Sequence, residues 1–146
     1  FVPEDRHYHG LFKIRSISSN TTSALLGSRE MGKVDMNRRH QREISQQYAD
    51  KFRTKIVSLD DLIGSLSGGN QQKVVISRAL STRPKVVILD EPTRGIDAAA
   101  RSDVYGIIRQ LKEEGVAVLM VSSDIEEVVE AGSTASSATM KSLRMR

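Results

Sequence analysis

The sequence contains the stretch Val86-Val87-Ile88-Leu89-Asp90-Glu91-Pro92-Thr93, in which a short apolar run is followed directly by two acids. Such a run predicts a strand of a parallel sheet that is buried on both faces. A second apolar run, Val116–Val121, predicts another strand of this kind. Between them a helix is predicted from about Ala98 to Glu114, ahead of Gly115. Its apolar stripe consists of Val104, Ile107, Ile108 and Leu111. Strand, helix and strand form a βαβ unit, which predicts an α/β fold with a right-handed crossover.

The sequence ahead of this unit predicts mainly helices. One is expected from about Met36 to Lys55, with an apolar stripe every fourth residue and arginines on a solvated face. The residues of that stripe are Ile44, Tyr48 and Phe52. Another helix is expected from about Asn70 to Ser81, and residues 1–10 predict an extended stretch followed by a turn. Beyond the second strand, Ser123 and Glu126 predict the capping box of a short helix.

Composition excludes several classes of protein. The 146 residues include no Cys, which excludes a disulfide scaffold and a cysteine-based metal site. The longest wholly apolar run is six residues, far short of the roughly 20 that cross a bilayer. Three of the four net positive charges come from Lys141, Arg144 and Arg146, so the main body is nearly neutral. With 4% aromatic residues and no Trp, nucleic-acid binding is not expected.

Two short motifs carry the candidate chemistry, and the first is a glycine turn, Leu66–Gln72, immediately ahead of a predicted helix. The start of a helix has unpaired N–H groups and a partial positive charge, so it binds anions, and glycines let the backbone approach a phosphate closely. A glycine turn with Ser67 as an ordinary N-cap fits the same residues.

The second motif is the acid pair Asp90 and Glu91 at the carboxyl end of the first strand. Open α/β sheets bind their ligands at that end of the strands. In phosphate chemistry the first acid would hold Mg²⁺, and the second could orient or deprotonate an attacking water. A charged exit from the strand into a loop is an equally simple interpretation of the pair.

Taken together, the two motifs resemble the nucleotide-binding domain of ATP-binding cassette (ABC) transporters. Leu66–Gln71 resembles the ABC signature motif, Val87–Glu91 resembles Walker B with its following Glu, and Gly95–Asp97 resembles the D-loop. GGNQQKV, EPTRGID and the opening VPEDR are similar to the second cassette of the tandem ATPases that drive sugar importers. SSDIEEVVE and DAAAR are most similar to the branch that imports autoinducer-2, alongside those for ribose, galactose and xylose.

The resemblance implies an α/β fold: a partial P-loop NTPase (ABC ATPase) core with a helical subdomain. It implies ATP and Mg²⁺ as cofactors, with Asp90 on the metal and Glu91 as general base. The nucleotide-binding residues it implies are Ser67, Gly68, Gly69, Gln71, Asp97 and Ser123. Ser67 and its glycines would clamp ATP held on a second ABC cassette, and Asp97 would reach across that interface. The further implied partners are transmembrane permease subunits and, indirectly, a periplasmic solute-binding protein, at the cytoplasmic face of the bacterial inner membrane.

The same resemblance divides the chain into four parts. Residues 1–10 are an opening segment near the Q-loop, 11–82 a helical subdomain, 83–130 the Walker B part of the core, and 131–146 a divergent, disordered tail. Glu4 or Pro3 lies where the Q-loop Gln is expected, and Ser123 stands in place of the switch histidine. Second cassettes of the sugar type commonly have Ser there.

The expected P-loop is missing from this sequence. Gly27–Val34 fits G-x-x-x-x-G-K, but Val34 replaces the Ser or Thr that ligates Mg²⁺, and no apolar strand precedes it. We therefore expect a truncated cassette, inactive in isolation, whose strands expose apolar faces and which aggregates when expressed alone. The alternative is a non-catalytic remnant that at most associates with other ABC subunits. A DNA-repair ABC ATPase is disfavoured because no coiled-coil heptads flank the motifs.

Overall fold

A computed structural model describes residues 1–26 and 37–124, together with Glu127 and Val129. The chain divides into two compact units. We call Asp5–Pro84 the helical unit, and Phe1–Glu4 with the described residues from Lys85 onward the sheet unit. The near match to a P-loop, Gly27–Val34, and the tail 131–146 lie outside the described residues. None of the helices in the described ranges is long and apolar enough to span a bilayer.

The helical unit contains three α-helices: α1 (Ile17–Thr22), α2 (Arg38–Lys51) and α3 (Gly68–Ser81). A π-helical turn at Arg6–Gly10 precedes α1, and 3₁₀ turns at Ser23–Leu25 and Ile63–Ser65 lie directly after α1 and shortly before α3. The large apolar side chains that are fully buried in this unit are Ile17, Leu25, Ile63, Val75 and Ile76. Mainly helical structure in this half was expected, although α2 is shorter than predicted and α3 begins two residues earlier.

The π-helical turn begins at Asp5. The Asp5 carboxylate accepts hydrogen bonds from the backbone N–H groups of His7 (2.8 Å) and Tyr8 (3.1 Å). The bond from the Tyr8 N–H, opposed by some desolvation and supported by the His7 N–H, holds the pKa of Asp5 below its ordinary value. A short carboxylate cap therefore fixes the turn that was predicted from the first ten residues.

The buried face of α2 differs from the prediction. Its buried residues are Gln41, Ser45 and Ala49, whereas Ile44 and Tyr48 of the predicted stripe are only half-buried. The third stripe residue, Phe52, is the C-cap of α2 and is buried as predicted. The two polar residues of this face, Gln41 and Ser45, form hydrogen bonds with side chains of α1. The Gln41 amide donates to Thr22 Oγ1 (2.9 Å), and the Ser45 and Ser18 hydroxyls lie 3.1 Å apart. Apolar periodicity alone therefore identified the helix but placed its buried face about one residue away.

Asn20 ties α1 to the loop before it. Its side chain is fully buried and accepts a hydrogen bond from the Phe12 N–H at 2.7 Å. Its amide group also donates to the carbonyls of Phe12 (3.1 Å), Arg15 (3.3 Å) and Ser16 (3.0 Å). The three carbonyls also accept backbone N–H groups, from Arg15, Ile63 and Asn20, so the Asn20 side chain matters most for the Phe12 N–H.

The sheet unit contains β1 (Val86–Asp90), α4 (Ala98–Glu113) and β2 (Ala117–Val121). The strands are parallel, and Val86 pairs with Ala117 and Asp90 with Val121 at the two ends of the register. The predicted βαβ order is confirmed, as is the buried stripe of α4, which consists of Val104, Ile107, Ile108 and Leu111. Gly115 has a φ of +79°, the conformation expected of a glycine just past a helix end.

The first residues of the chain extend this sheet. The Val2 N–H donates to the Ile88 carbonyl at 2.8 Å, and the Asp90 N–H donates to the Val2 carbonyl at 2.9 Å. Val2 therefore forms a parallel bridge beside β1 and is completely buried. The extended stretch predicted for the opening of the sequence is confirmed at this residue.

One face of the sheet stays exposed. Along β1 the exposed and buried positions alternate, and Val87 and Leu89 are the buried ones. Paired residues share a face, and the exposed apolar members include Val86 (58%) and Leu119 (49%). The prediction that both strands are buried on both faces is therefore wrong for this face, whereas the expectation that the strands expose apolar surface is confirmed.

Candidate functional site

The acid pair lies where the two parallel strands end. Asp90 is the last residue of β1 and pairs with Val121, the last residue of β2. Parallel strands end at the same edge of a sheet, so Glu91 and the residues that follow Val121 meet there. We call this place the acid edge and define it as Asp90, Glu91 and the segment Ser122–Asp124.

Glu91 is held by β2 at both its backbone and its side chain. Its N–H donates to the Val121 carbonyl at 2.8 Å, and its Oε1 accepts the Ser123 N–H at 2.5 Å. Its φ of +44° is left-handed, a conformation it shares among non-glycine residues with Arg53 and Arg83. Those two arginines directly follow the C-caps of α2 and α3, where a left-handed residue is common. Glu91 directly follows β1, so here the strained backbone aims a carboxylate.

Asp90 is half-buried beside Glu91. Its carboxylate makes no hydrogen bond or ion pair with any residue in the described part of the chain. Mg²⁺ is usually bound in proteins by one or two carboxylates together with water and phosphate oxygens. A carboxylate whose oxygens are unengaged at the end of a strand therefore fits that ion. Among the described residues, no group of three or more His, Cys, Asp or Glu could hold a metal ion.

The loop after the acids returns the chain to α4. The Arg94 N–H donates to the Glu91 carbonyl at 3.1 Å, and the Arg94 guanidinium forms an ion pair with Glu4. Asp97 is the N-cap of α4 and accepts the Ala100 N–H at 2.9 Å. The exposed Asp97 therefore already has a local structural role, and its predicted reach across an interface is not tested by this structure.

The glycine turn opens α3 in the helical unit. Ser67 is the N-cap by position, yet its side chain makes no capping bond to the backbone. Instead its hydroxyl accepts from the Asn70 side chain at 3.0 Å, and the Asn70 carbonyl oxygen accepts the Lys55 N–H at 3.1 Å. The interpretation of Ser67 as an ordinary side-chain cap is therefore wrong. The first N–H groups of α3 have no side-chain cap, as an anion-binding helix end requires.

Gln71 stands on the first turn of α3. Its amide group donates to the Leu66 carbonyl at 2.8 Å, which closes the glycine turn. Its Oε1 is buried and has no hydrogen-bond partner within the described residues. Gln71 therefore has a structural role that the sequence did not predict, in addition to the nucleotide contact implied by the resemblance.

The segment after β2 departs from the expected capping box. The Ser123 N–H, which a capping box would pair with Glu126, donates to Glu91 instead. Glu126 lies outside the described residues. The Ser122 hydroxyl accepts the Asp124 N–H at 3.1 Å and donates to Glu127 Oε2 at 2.5 Å. Sequence reasoning missed Ser122 and Glu127, because no local pattern distinguishes them from the adjacent Ser123 and Glu126.

The fold and the acid edge define a class of protein: an α/β core with paired acids at the carboxyl end of its parallel strands, accompanied by a helical unit. The family model described as ABC transporter matches residues 3–94, which is more than half of the chain. The chain therefore belongs to the ABC transporter family. The predicted fold class, a partial P-loop NTPase core with a helical subdomain, agrees with solved ATP-binding cassettes. A dimeric cassette bound to ADP and phosphate superposes with a TM-score of 0.71 at 23% identity, covering 89% of this chain and 54% of that one.

Curated relatives act in sugar import. The ribose import ATP-binding protein of Rhodopirellula baltica is 45% identical over 129 residues, which are 88% of this chain and 25% of that protein. The xylose import ATP-binding protein of Histophilus somni is 41% identical over 128 residues, which are 88% of this chain and 25% of that protein. The arabinose import ATP-binding protein of Burkholderia cenocepacia is 42% identical over 127 residues, which are 87% of this chain and 25% of that protein. The chain thus spans about a quarter of the length of these relatives.

Proposed function

We propose that this chain contributes the signature and Walker B motifs of an ATP-hydrolysing component of an ABC importer for a sugar or sugar-like solute. One observation carries the proposal. Glu91 is turned at the end of a parallel strand by a left-handed backbone and is held there by the Ser123 N–H, next to an unengaged Asp90. A base at a strand end beside a carboxylate for Mg²⁺ is the arrangement that phosphoryl transfer from ATP to water needs.

At the acid edge each residue would have one role. Asp90 would hold Mg²⁺, which when bound neutralises charge on the phosphates. Glu91 would orient the attacking water and accept its proton, because its free Oε2 is not the oxygen that Ser123 engages. Ser123, in place of a switch histidine, would contact the nucleotide, and Asp97 would extend toward a second cassette from the start of α4.

The glycine turn would serve a different ATP. The backbone N–H groups at Ser67, Gly68 and Gly69 would bind the γ-phosphate of ATP held on a second ABC cassette, supported by the absence of a side-chain cap on α3. Gln71 would contribute through its unpartnered Oε1, which can accept a hydrogen bond from a ribose hydroxyl or a water. The two motifs of one chain would thus complete two ATP sites.

The assembly would couple ATP hydrolysis to permease subunits in the membrane. The relatives' printed roles in ribose, xylose and arabinose import support a sugar or sugar-like solute, delivered by a periplasmic solute-binding protein. The chain would act at the cytoplasmic face of the bacterial inner membrane. Within this class we favour autoinducer-2, because the SSDIEEVVE and DAAAR segments resemble that branch most. No nucleic acid takes part in this function.

A second candidate is a cassette remnant that associates with ABC subunits without hydrolysing ATP. It is favoured because no segment of this sequence meets the requirements of a P-loop: Gly27–Val34 fits G-x-x-x-x-G-K only by residue type, and no apolar strand precedes it. In either case the P-loop of the first ATP site would have to come from elsewhere.

Hydrolysis in a reconstituted site tests the proposal. The purified chain is assayed alone and mixed with a cassette segment that carries a P-loop, and phosphate release from ATP is measured. We expect no turnover alone, turnover in the mixture, and a loss of about 100-fold or more for Glu91→Gln. Glu113→Gln, an exposed acid on α4, is the matched control and should leave the rate unchanged. Association without hydrolysis would support the remnant, and neither association nor hydrolysis would overturn both.

A further inference from the structure

We propose that Ser122 and Glu127 are positioning residues that hold the Ser123 amide on the carboxylate of Glu91. The inference deepens the proposed function, since it names what fixes the general base of that same site. Neither residue belongs to the set that the sequence motifs identified.

The backbone of Ser123 contacts the carboxylate of Glu91 directly. Ser123 N–H and Glu91 Oε1 are 2.5 Å apart, and the Glu91 N–H meets the Val121 carbonyl at 2.8 Å. Both bonds to Glu91 therefore come from residues at or just past the end of β2. A hydrogen bond from N–H to an ionised carboxylate is short and strong, so a shift of this segment would displace the base.

The segment that carries the Ser123 amide is held by the Ser122 hydroxyl. It continues beyond Val121, where the register between the strands ends. The Ser122 hydroxyl accepts the Asp124 N–H at 3.1 Å and donates to Glu127 Oε2 at 2.5 Å. The Ser122 hydroxyl thus links the backbone of Asp124, on the far side of Ser123, to the carboxylate of Glu127.

The acid that the Ser122 hydroxyl contacts, Glu127, is buried. Glu127 is 5% exposed, and it forms no ion pair with any residue in the described ranges. Burying a carboxylate is costly unless hydrogen bonds compensate for the lost water. The Ser122 hydroxyl supplies such a bond, so the pair stabilises one arrangement of the segment between them.

Ser122 and Ser123 make their contacts with different groups, the hydroxyl in Ser122 and the backbone N–H in Ser123. The Ser123 side chain is exposed, and its contact with Glu91 is made by the backbone. The hydroxyl that orders the segment is that of Ser122. Removal of the Ser122 hydroxyl should therefore loosen the Ser123 amide even though Ser123 itself is unchanged.

Amide hydrogen exchange on the intact 146-residue chain tests the inference without any nucleotide. Exchange at Ser123 is followed by NMR in Ser122→Ala and Glu127→Ala, each expected to be about five- to tenfold faster than in the unaltered chain, the effect of losing one net hydrogen bond. Ser122→Thr and Glu127→Gln keep a hydroxyl and an acceptor, so they should restore slow exchange. Ser102→Ala and Glu113→Gln, on the exposed surface of α4, are the matched controls.

The outcomes decide the inference separately from the proposed function. Exchange at Ser123 that is equal in Ser122→Ala and Ser102→Ala overturns it, as does a failure of both conservative variants to restore protection. If Glu127→Ala unfolds, which would speed exchange throughout α4, Ser122→Ala decides because it removes only one hydroxyl. In the reconstituted ATPase we expect Ser122→Ala to lower kcat about tenfold with the KM for ATP unchanged. If the unaltered mixture shows no ATPase activity, the proposed function fails while the exchange result still stands.

Discussion

Most of the buried polar side chains among the described residues lie in the helical unit, whereas the two strands of the sheet unit expose apolar side chains on one face. Asn20, Gln41 and Ser45 lie inside the helical unit with hydrogen bonds to α1 or its neighbouring loop, while Val86 and Leu119 face solvent from the two strands. Polar groups can be buried when each finds a partner, and apolar groups stay exposed when nothing in the described chain covers them. The contrast teaches that burial here follows the available partners rather than side-chain polarity.

The largest expected effect is at Asn20, the most extensively bonded polar side chain of the helical unit. Asn20→Ala removes the acceptor for the Phe12 N–H and the donor for three carbonyls. We expect a loss of about 3 kcal/mol in the free energy of unfolding, measured by urea denaturation. A loss below about 1 kcal/mol would show that water replaces the amide and would weaken the contrast between the units.

A smaller loss is expected at Ser45 on the buried face of α2. Ser45→Ala removes a hydroxyl that lies 3.1 Å from Ser18 Oγ and donates to the Gln41 carbonyl at 2.8 Å. The expected cost is about 1 kcal/mol. Ser65→Ala, which also removes a hydroxyl bonded to a carbonyl but at an exposed position, is the control and should cost less. Equal costs would mean that burial of Ser45 adds nothing.

The exposed sheet face should govern association more than stability. We expect Val86→Thr with Leu119→Thr to change the free energy of unfolding by less than about 0.5 kcal/mol, since both residues are largely solvated. Self-association, measured by light scattering and sedimentation, should fall, because large exposed apolar faces and free strand edges promote it.

Val87 supplies the matched control for that face. It lies beside Val86 on β1 but is 1% exposed, so Val87→Thr buries a hydroxyl and should destabilise the chain by about 2 kcal/mol. If the unaltered chain is monomeric and melts cooperatively, the aggregation expected from its sheet is contradicted.

The smallest effect is a pH dependence at the cap of the π-helical turn. Hydrogen bonds from the Tyr8 and His7 N–H groups lower the pKa of Asp5 in the folded chain. The stabilisation it provides is therefore present above the unfolded pKa, near the ordinary value of 3.8, and is lost as the pH falls through the folded pKa. Thermal melts at pH 6 and pH 3 should show that Asp5→Asn destabilises the chain more at pH 6 than at pH 3. An equal difference at both pH values would contradict this cap, and Glu113→Gln is the control.

Local pattern predicted the elements that pack by apolar stripes. α4 and its following Gly115 were predicted to within one residue, and both strands were found from runs of apolar residues. The buried face of α2 was wrong because Gln41 and Ser45 are buried through hydrogen bonds to α1, residues distant in sequence. Periodicity records apolar character and contains no information about such partners.

The candidate site divides in the same way. The acid pair and the glycine turn are visible in the sequence because their chemistry depends on residue types at adjacent positions. The left-handed Glu91, its bond to the Ser123 amide and the support from Ser122 and Glu127 depend on two strands ending at one edge. The sequence by itself therefore determined which groups are available to bind phosphate and metal. Only the tertiary structure decided how they are oriented, because strand pairing brings Glu91 to Val121 through a backbone hydrogen bond that leaves no mark in the local sequence.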